Sequence, residues 1–437
     1  MYNKKQCKEI LLKAIDSTRC RVNAALHGSE QKTTRFANSE ISQNVSISDM
    51  DLTVTVFEGR KSASCSTNVL TDEGIKELVR DAEELLKYVP EGEFEAFEFS
   101  KEPVEEKTSD GRLSKAFGVD QRVELIKEGI SFVEPGFYGA GALSLTQTTI
   151  GLASCTKGFR YSSSEFVDFN TVVTHNDGTA GSGACCSYTS PPDVISKFKK
   201  AQATAKAAMG AKSPSLGAFT VVLSPSAFGS LVNFMSYMLN AKAVDDGISF
   251  AVGKLGEKVF GENLTLLNAV GHPELMPLLF DMEGNPGRPL TLINKGVVNE
   301  LLYDNVIAKR HGKESTGNAV AYGRGGYPFH LLVEPGVQPI DDIIAGTEKG
   351  IFINEFHYTN FVNPRNLQIT GLTRNGAFFI ENGKLTEPMG TVRFTESLLD
   401  AFNNITAISK EQELVSGWAT SLMPGVRIEN FHFTSKP

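Results

Sequence analysis

The sequence is short of the residues that usually announce chemistry. Its 437 residues include only six cysteines, seven histidines and one tryptophan. The cysteines are Cys7, Cys20, Cys65, Cys155, Cys185 and Cys186, and none forms a Cys-x-x-Cys pair. Zinc-ribbon and thioredoxin-type readings are therefore excluded. Adjacent Cys185 and Cys186 meet disulfide geometry only with strain, and so few cysteines in so long a chain make no disulfide framework. The histidines (His27, His175, His272, His311, His330, His357, His432) are scattered, and the nearest two are too far apart along the chain for a local two-histidine metal motif. Each reads as a surface or satisfied core residue rather than a ligand. No apolar run approaches the roughly 18 residues of a membrane span, and the charged N-terminus MYNKKQCKEILLKAI lacks the apolar stretch of a signal peptide. The expected location is cytoplasmic. Positive charge is also scarce: 43 Lys and Arg against 51 Asp and Glu leave a formal charge of −8, which disfavours a nucleic-acid or anionic-membrane footprint.

At about 150 residues per domain the length suggests two or three domains. The pattern predicts a helix over 4–18, with Ile10, Leu11, Ala14 and Ile15 on one face. A strand-rich stretch follows. Ile41, Val45 and Ile47, then Leu52, Val54 and Val56, then Ala63, Cys65 and Val69, alternate with polar residues as in an antiparallel meander with one wet face. Thr71 is placed to cap a helix whose stripe runs Ile75, Leu78, Val79, Ala82, Leu85, Leu86, Val89 until Pro90. Strands over 143–174, a Gly/Ser-rich turn region over 178–190 and a helix from Pro191-Pro192 to about Met209 repeat that order, which predicts an internal duplication in the first half. The stretch GAKSPSLG over 210–217 reads as a linker. A boundary there gives an N-terminal mixed α/β domain, 1–212, and a strand-rich C-terminal domain, 213–437.

In the second half a strand over 219–223 leads to a helix from Ser224-Pro225 through about Val244. Short apolar runs over 290–293, 296–302, 329–333, 350–353 and 376–380 favour an antiparallel, barrel-like sheet, interrupted by a helix over 396–408. The fold class is α+β.

The familiar catalytic patterns are missing. There is no phosphate-binding P-loop and no Gly-x-Ser-x-Gly, and Gly136-Phe-Tyr-Gly139-Ala-Gly141 has the wrong spacing for a dinucleotide fingerprint. Ser154-Cys-Thr-Lys157 matches Ser-x-x-Lys without its companion motifs, a match expected by chance in a chain this long. Lys309-Arg310-His311 and Gly323-Arg324-Gly325-Gly326 are too short for a nucleic-acid patch and read as solvated loops. Ser315-Thr316-Gly317-Asn318 suits either a turn or a substrate loop.

An ordered set of short motifs carries the reading further. Thr34-Arg-Phe-Ala-Asn-Ser-Glu-Ile-Ser-Gln43 is followed by Asp281-Met-Glu283-Gly284, Leu292-Ile-Asn-Lys-Gly-Val297, Ser315-Thr-Gly-Asn318, Glu334-Pro-Gly336 and Ile380-Glu-Asn-Gly-Lys384 leading to Pro388. Together they resemble the TldD/PmbA (TldE) family, once described as modulators of DNA gyrase, over nearly the whole chain. The resemblance implies a mixed α/β N-terminal domain and a β-barrel-like C-terminal domain. It also implies two kinds of subunit: TldD-like metallopeptidases, with a His-Glu-x-x-x-His helix and a later cysteine as zinc ligands, and TldE/PmbA-like chains without them. Here Gly253 and Gly256-Glu-Lys-Val259 resemble the stretch that follows the motif helix, and counting back places the motif on Val232-Asn-Phe-Met-Ser-Tyr237. Val232 and Tyr237 would stand for the two histidines and Asn233 for the glutamate. Valine cannot coordinate a metal, tyrosine rarely holds zinc, and asparagine is no general base. Ser416-Gly-Trp-Ala419 supplies no cysteine, and none follows Cys186.

The departure points to the TldE/PmbA side: a chain with no catalytic residues, metal or cofactor of its own. The resemblance implies a TldD-like catalytic partner in a heterodimer, or a homodimer, acting on peptides or unfolded segments that add as strands to a sheet edge. Val232, Asn233, Ser236 and Tyr237 are the candidate cavity-lining positions, with helix packing the preferred reading for Val232 and Tyr237. The alternatives are a stand-alone homodimeric peptide-binding protein, a hydrolase with an unrecognised site using Ser154 or a dispersed His/Asp/Cys set, and direct action on gyrase or DNA, which the charge opposes.

Overall fold

A computed structural model describes residues 2–93, 97–156, 158–212 and 216–436. The first part of the chain runs α1 (Lys4–Asp16), β1 (Arg21–Ala37), β2 (Glu40–Glu58), β3 (Lys61–Thr67) and α2 (Asp72–Leu86), then α3 (Arg112–Ala116), α4 (Val119–Ile130), β4 (Phe137–Ser154), β5 (Phe159–His175), β6 (Ala180–Ser187) and α5 (Val194–Ala207). The six strands form one antiparallel sheet in the order β3-β2-β1-β4-β5-β6. Helix, three strands, helix thus occurs twice, and the first strands of the two sets, β1 and β4, pair at the centre.

The helix ends follow their residues. Asn3 and Gln6 form a capping box at α1, and the Thr71 hydroxyl accepts from the Gly74 N–H at α2. Ile75, Leu78, Val79, Ala82 and Leu86 of α2, with Cys7, Leu11 and Ala14 of α1, are buried against Val22, Ala24, Leu52, Val54 and Val56 of the sheet. Phe198 of α5 packs on Phe36 and Phe169, with ring centroids 5.4 and 5.1 Å away.

Two sequence expectations need correction here. Residues 178–190 are not mainly a turn, since Ala180–Ser187 is the edge strand β6. Its glycines serve packing: a Cβ on Gly183 would meet the Lys197 carbonyl oxygen at 2.2 Å, and one on Gly181 the Ala201 carbonyl oxygen at 2.3 Å. The α5 backbone lies that close to the strand. The apolar alternation of Ile41, Val45 and Ile47 also does not mark a buried face. β3 pairs only from Leu52 onward, so the other end of β2 has one strand neighbour, and Val45 and Ile47 are exposed.

The second part runs β7 (Gly217–Leu223), α6 (Pro225–Tyr237), α7 (Ala241–Asp245), β8 (Leu266–Asn268), β9 (Leu290–Asn294), β10 (Val297–Val298), α8 (Asn305–Arg310), β11 (Leu331–Val333), α9 (Ile340–Ala345), β12 (Lys349–Asn363), β13 (Gln368–Glu381), β14 (Lys384–Pro388), β15 (Arg393–Ser397), α10 (Leu398–Asn403), β16 (Ile405–Val415) and β17 (Ser421–Ser435). All eleven strands belong to one sheet. β7, β12, β13, β15 and β17 pair cyclically through a β7–β17 contact, but the ring does not stand round one axis. The sheet is mixed rather than antiparallel throughout, because β7–β12 and β11–β17 are parallel. The architecture is α+β and strand-rich.

Both long helices expected in this part are shorter. The 224–244 segment breaks after Tyr237. The Leu239 carbonyl and the Ala241 N–H bond to the Leu302 backbone, and Asn240 caps the separate helix α7. The 396–408 segment is helical only over Leu398–Asn403, since Ile405 onward enters β16 beside β17. Of the linker expected at 210–217, residues 213–215 lie outside the described residues, and Lys212 bridges to Met389.

Candidate functional site

Helix α6 is the centre of the site. Its cap binds it to the sheet: the Ser224 hydroxyl donates to the Asn354 carbonyl at 2.6 Å and accepts from the Ala227 N–H, with Pro225 in the first turn. Phe228, Leu231, Val232 and Met235 are fully enclosed in the largest hydrophobic cluster. A Cβ on Gly229 would lie 3.2 Å from Met423 and 3.3 Å from Val415, so the glycine admits the helix against β16 and β17.

What is left of the helix surface faces a cleft of about 340 Å³. Ser226, Ser230, Asn233 and Phe234 line one wall, Glu355, Phe356 and Thr359 of β12 another, and the 415–418 segment the third. Ser226, Ser230 and Asn233 follow the i, i+4, i+7 spacing of one helix face. Phe234 holds the aromatic rim, with ring centroids 4.9 Å from Phe361 and 5.0 Å from Trp418. Tyr237 extends it, 5.9 Å from Trp418 and 5.8 Å from Tyr327. In β12 the register shifts between His357 and Asn360, and Tyr358 takes a left-handed φ of 50°. That conformation is costly for a bulky residue, and it bends the wall that presents Glu355, Phe356 and Thr359.

The candidate positions therefore separate. Val232 points into the core. Ser236 is buried, its hydroxyl donating to the Asn233 carbonyl at 2.9 Å. Tyr237, expected to pack inward, is 44% exposed at the cleft rim. Asn233 alone of the four lines the cleft. Its Nδ2 donates to the Gly229 carbonyl at 3.0 Å, while its buried Oδ1 has no partner among the described residues. An unmet acceptor at the cleft wall favours a donor from a ligand.

The first sheet props the opposite wall. The Ser416 hydroxyl bonds Asp168 of β5, whose carboxyl is raised above its ordinary range by burial. Cys186 donates through Sγ to the Leu414 carbonyl at 3.4 Å, and burial raises its thiol far above the usual range. A thiol so disfavoured as thiolate is inert. Glu355 accepts from Ser182 of β6 and from Asn375 of β13.

Other residues singled out in the sequence have structural places. Ser154 ends β4 buried, 2.8 Å from the Thr156 hydroxyl, and Lys157 lies outside the described residues. Asp281 accepts from the Glu283, Asn285 and Ala319 N–H groups, and burial raises its carboxyl to about 6. Glu283 is raised further by burial and by Asp281 beside it, and accepts from the Asn305 N–H at 2.8 Å. These carboxyls clamp loops. Ser315–Asn318 is a buried turn: the Thr316 hydroxyl accepts from the Tyr303 N–H and Asn318 Nδ2 donates to the Tyr327 carbonyl. The 309–311 stretch is not a free loop. Arg310 pairs with Glu93 and Asp245, and His311 Nε2 lies 2.7 Å from Asp245.

The sequence pattern of the PmbA/TldA metallopeptidase C-terminal domain matches residues 216–435, and that of domain 1 of the same group matches 24–86. The chain belongs to the PmbA/TldD family. Among curated relatives it is 23% identical over 233 residues to a zinc metalloprotease TldD homolog of Saccharolobus solfataricus, covering 50% of this chain and 49% of that one. It is 26% identical over 208 residues to a metalloprotease of Methanocaldococcus jannaschii, covering 46% of each. The chain thus spans about half the length of the curated relatives it matches. In fold it is similar to TldE of Thermococcus kodakarensis, with TM-score 0.84 at 20% identity over 98% of this chain and 99% of that one. A Thermotoga maritima protein described as a candidate modulator of a DNA gyrase gives TM-score 0.83 at 20% identity over 99% and 100%.

A family named for metallopeptidases implies a metal. Among the described residues no group of three His, Cys, Asp or Glu side chains is placed to hold a metal ion. At the motif helix a valine in the core, an asparagine tied to its own helix and an exposed tyrosine do not make a zinc donor set. Sequence reasoning missed Phe234, Glu355 and Thr359. Only Trp418, the single tryptophan, carried a compositional signal.

Proposed function

We propose that this chain is the non-catalytic, TldE/PmbA-like subunit of a metallopeptidase complex that acts on extended peptides or unfolded segments. The observation that carries the reading is Asn233: at the motif position of the helix stands a side chain that cannot serve as general base, set in the wall of an aromatic-rimmed cleft with an unmet acceptor. The cleft holds a peptide. Phe234, Trp418 and Tyr237 take an apolar side chain, and Asn233 Oδ1 accepts a peptide N–H after a small rotation. Hydrolysis belongs to a TldD-like partner that brings the zinc ligands. This reading sets the complex in the cytosol. No helix among the described residues is long and apolar enough to cross a membrane. Residues 1–212 and 213–437 act as two domains, each built on its own sheet.

The test is co-purification with a TldD-like chain, followed by cleavage of an unfolded peptide by each chain alone and by the pair. Cleavage by the pair that is lost on stripping metal from the partner supports the proposal. Full-rate cleavage by this chain alone after metal stripping overturns it.

A further inference from the structure

A second and larger cavity, about 550 Å³, lies on the other side of Glu355 from the α6 cleft. The hairpin β12–β13 forms its floor, and the β5–β6 turn of the first sheet together with the residues after α5 forms its opposite side. Its lining is rich in hydrogen-bonding groups, including Thr174, Thr179, Thr373, Asn375 and Thr391.

The charges in it are arranged unusually. Glu355 and Arg374 are directly opposed across the β12–β13 pair, where opposite charges ordinarily join. They do not join here. The Glu355 carboxylate is taken by the Ser182 hydroxyl and by Asn375 Nδ2 at 3.2 Å. Arg374 is left lining the cavity with no hydrogen bond or ion pair among the described residues. His357, two residues from Glu355 and on the same face of β12, also lines it, and its only ring contact is with Tyr358 at 4.3 Å. Two donors thus face an open space, while the neighbouring carboxylate is held through its Oε2 by Ser182 and Asn375.

We propose that this cavity binds a carboxylate, with the Arg374 guanidinium as its fixed cation and the His357 ring as a second donor. The guanidinium fork matches the two oxygens of a carboxylate. One permanent positive charge beside a negative Glu355 suits a monoanion and opposes a phosphate dianion. The volume, within the range of small-ligand sites, admits the last residues of a peptide as well as a free acid. A peptide lying in the α6 cleft would pass Glu355 to bring its C-terminal carboxylate to Arg374. That source rests on the peptide reading above, whereas a free small carboxylic acid does not.

The experiment is calorimetric titration of the full chain with an unfolded decapeptide bearing a free C-terminus, with the same peptide amidated, and with butyrate, inorganic phosphate and acetate. Each is repeated on Arg374→Gln and Arg374→Lys, with melting curves to establish folding. The expected result is that the free acid binds at least about tenfold more tightly than the amide. Arg374→Gln removes that difference, Arg374→Lys keeps part of it, and the affinity for the amide stays unchanged in both. If both peptides bind equally and neither variant matters, the carboxylate site is wrong and the peptide reading stands. If peptides do not bind but butyrate or acetate binds in an Arg374-dependent way, the site stands and takes a free acid, and the peptide reading fails. Phosphate binding more tightly than any carboxylate overturns the assignment of ligand class. Absence of all binding overturns both.

Discussion

Phe234 on helix α6 and Trp418 on the segment before β17 hold their ring centroids 5.0 Å apart at an interplanar angle of 60°. The two residues come from distant parts of the chain and together form the apolar rim of the α6 cleft. As Trp418 is the single tryptophan, its emission reports on that rim alone. An unfolded peptide titrated into the protein should shift it saturably. Trp418→Ala should weaken peptide binding about tenfold or more, as for a central aromatic anchor. Unchanged affinity by a label-free method would remove the cleft from the peptide path.

Gly417 sits against Asn233, where an added Cβ would lie 2.9 Å from Nδ2. Gly417→Ala should push Asn233 off the Gly229 carbonyl, costing about 1 kcal/mol for the lost bond, and should alter peptide affinity more than stability. Asn233→Asp places a charge at a buried site with no cation partner. It should lower the melting temperature markedly, through roughly 1–3 kcal/mol or more of desolvation.

Gly183→Ala tests the packing of the first sheet. The new Cβ would meet the Lys197 carbonyl at 2.2 Å, a backbone atom that cannot swing away. Overpacking of this kind costs on the order of 1–3 kcal/mol. Gly178→Ala has open space around the new Cβ but a left-handed φ of 89°, so it should cost about 1 kcal/mol through backbone strain alone. Denaturant melts of the two variants give the comparison, and equal losses would contradict it.

Two buried groups give opposite pH dependences. Asp281 is raised from 3.8 to about 6 by burial. The folded state therefore binds more protons than the unfolded state between those values, and stability falls as pH rises from about 4 to 6, then levels off. His330 is lowered from 6.5 to about 4 by burial, its Nε2 bonded to the Met276 carbonyl. Its contribution is full above about 6.5 and is lost as pH falls to 4. Each amounts to roughly 3 kcal/mol by linkage, and Glu283, raised well above its ordinary range by burial and by Asp281 beside it, adds to the Asp281 side. His330→Gln should leave stability that rises on acidification from pH 6 to 4, and Asp281→Asn combined with Glu283→Gln should leave stability that falls. Urea midpoints at pH 4, 5, 6 and 7 decide the signs.

Legibility from sequence followed the range of the forces involved. The stripe Ile75, Leu78, Val79, Ala82, Leu86 and its Thr71 cap were readable because a helix sets its own period and its own first hydrogen bonds. The same pattern misled at Ile41, Val45 and Ile47, where burial depends on how far β3 extends alongside. It misled again at Gly181 and Gly183, which look like turn residues until α5 is seen to rest on them. The helices expected over 224–244 and 396–408 are both cut short by one cause. Leu302 and β17 draw the backbone bonds of those segments away from the helix, and neither is near in sequence.

What the sequence determined by itself was the α+β character, the twice-occurring order of helix, strands and helix, the membership carried by the ordered motifs, and the lack of zinc-ligating side chains at Val232, Asn233 and Tyr237. All depend on residue type and local period. Only the tertiary structure decided that Val232 faces the core while Asn233 and Tyr237 meet Trp418's side of the cleft. Only it decided that Glu355 gives its carboxylate to Ser182 and leaves Arg374 facing an open cavity. Those outcomes arise where two sheets and a helix converge, from hydrogen bonds and close contacts between residues that no local pattern brings together.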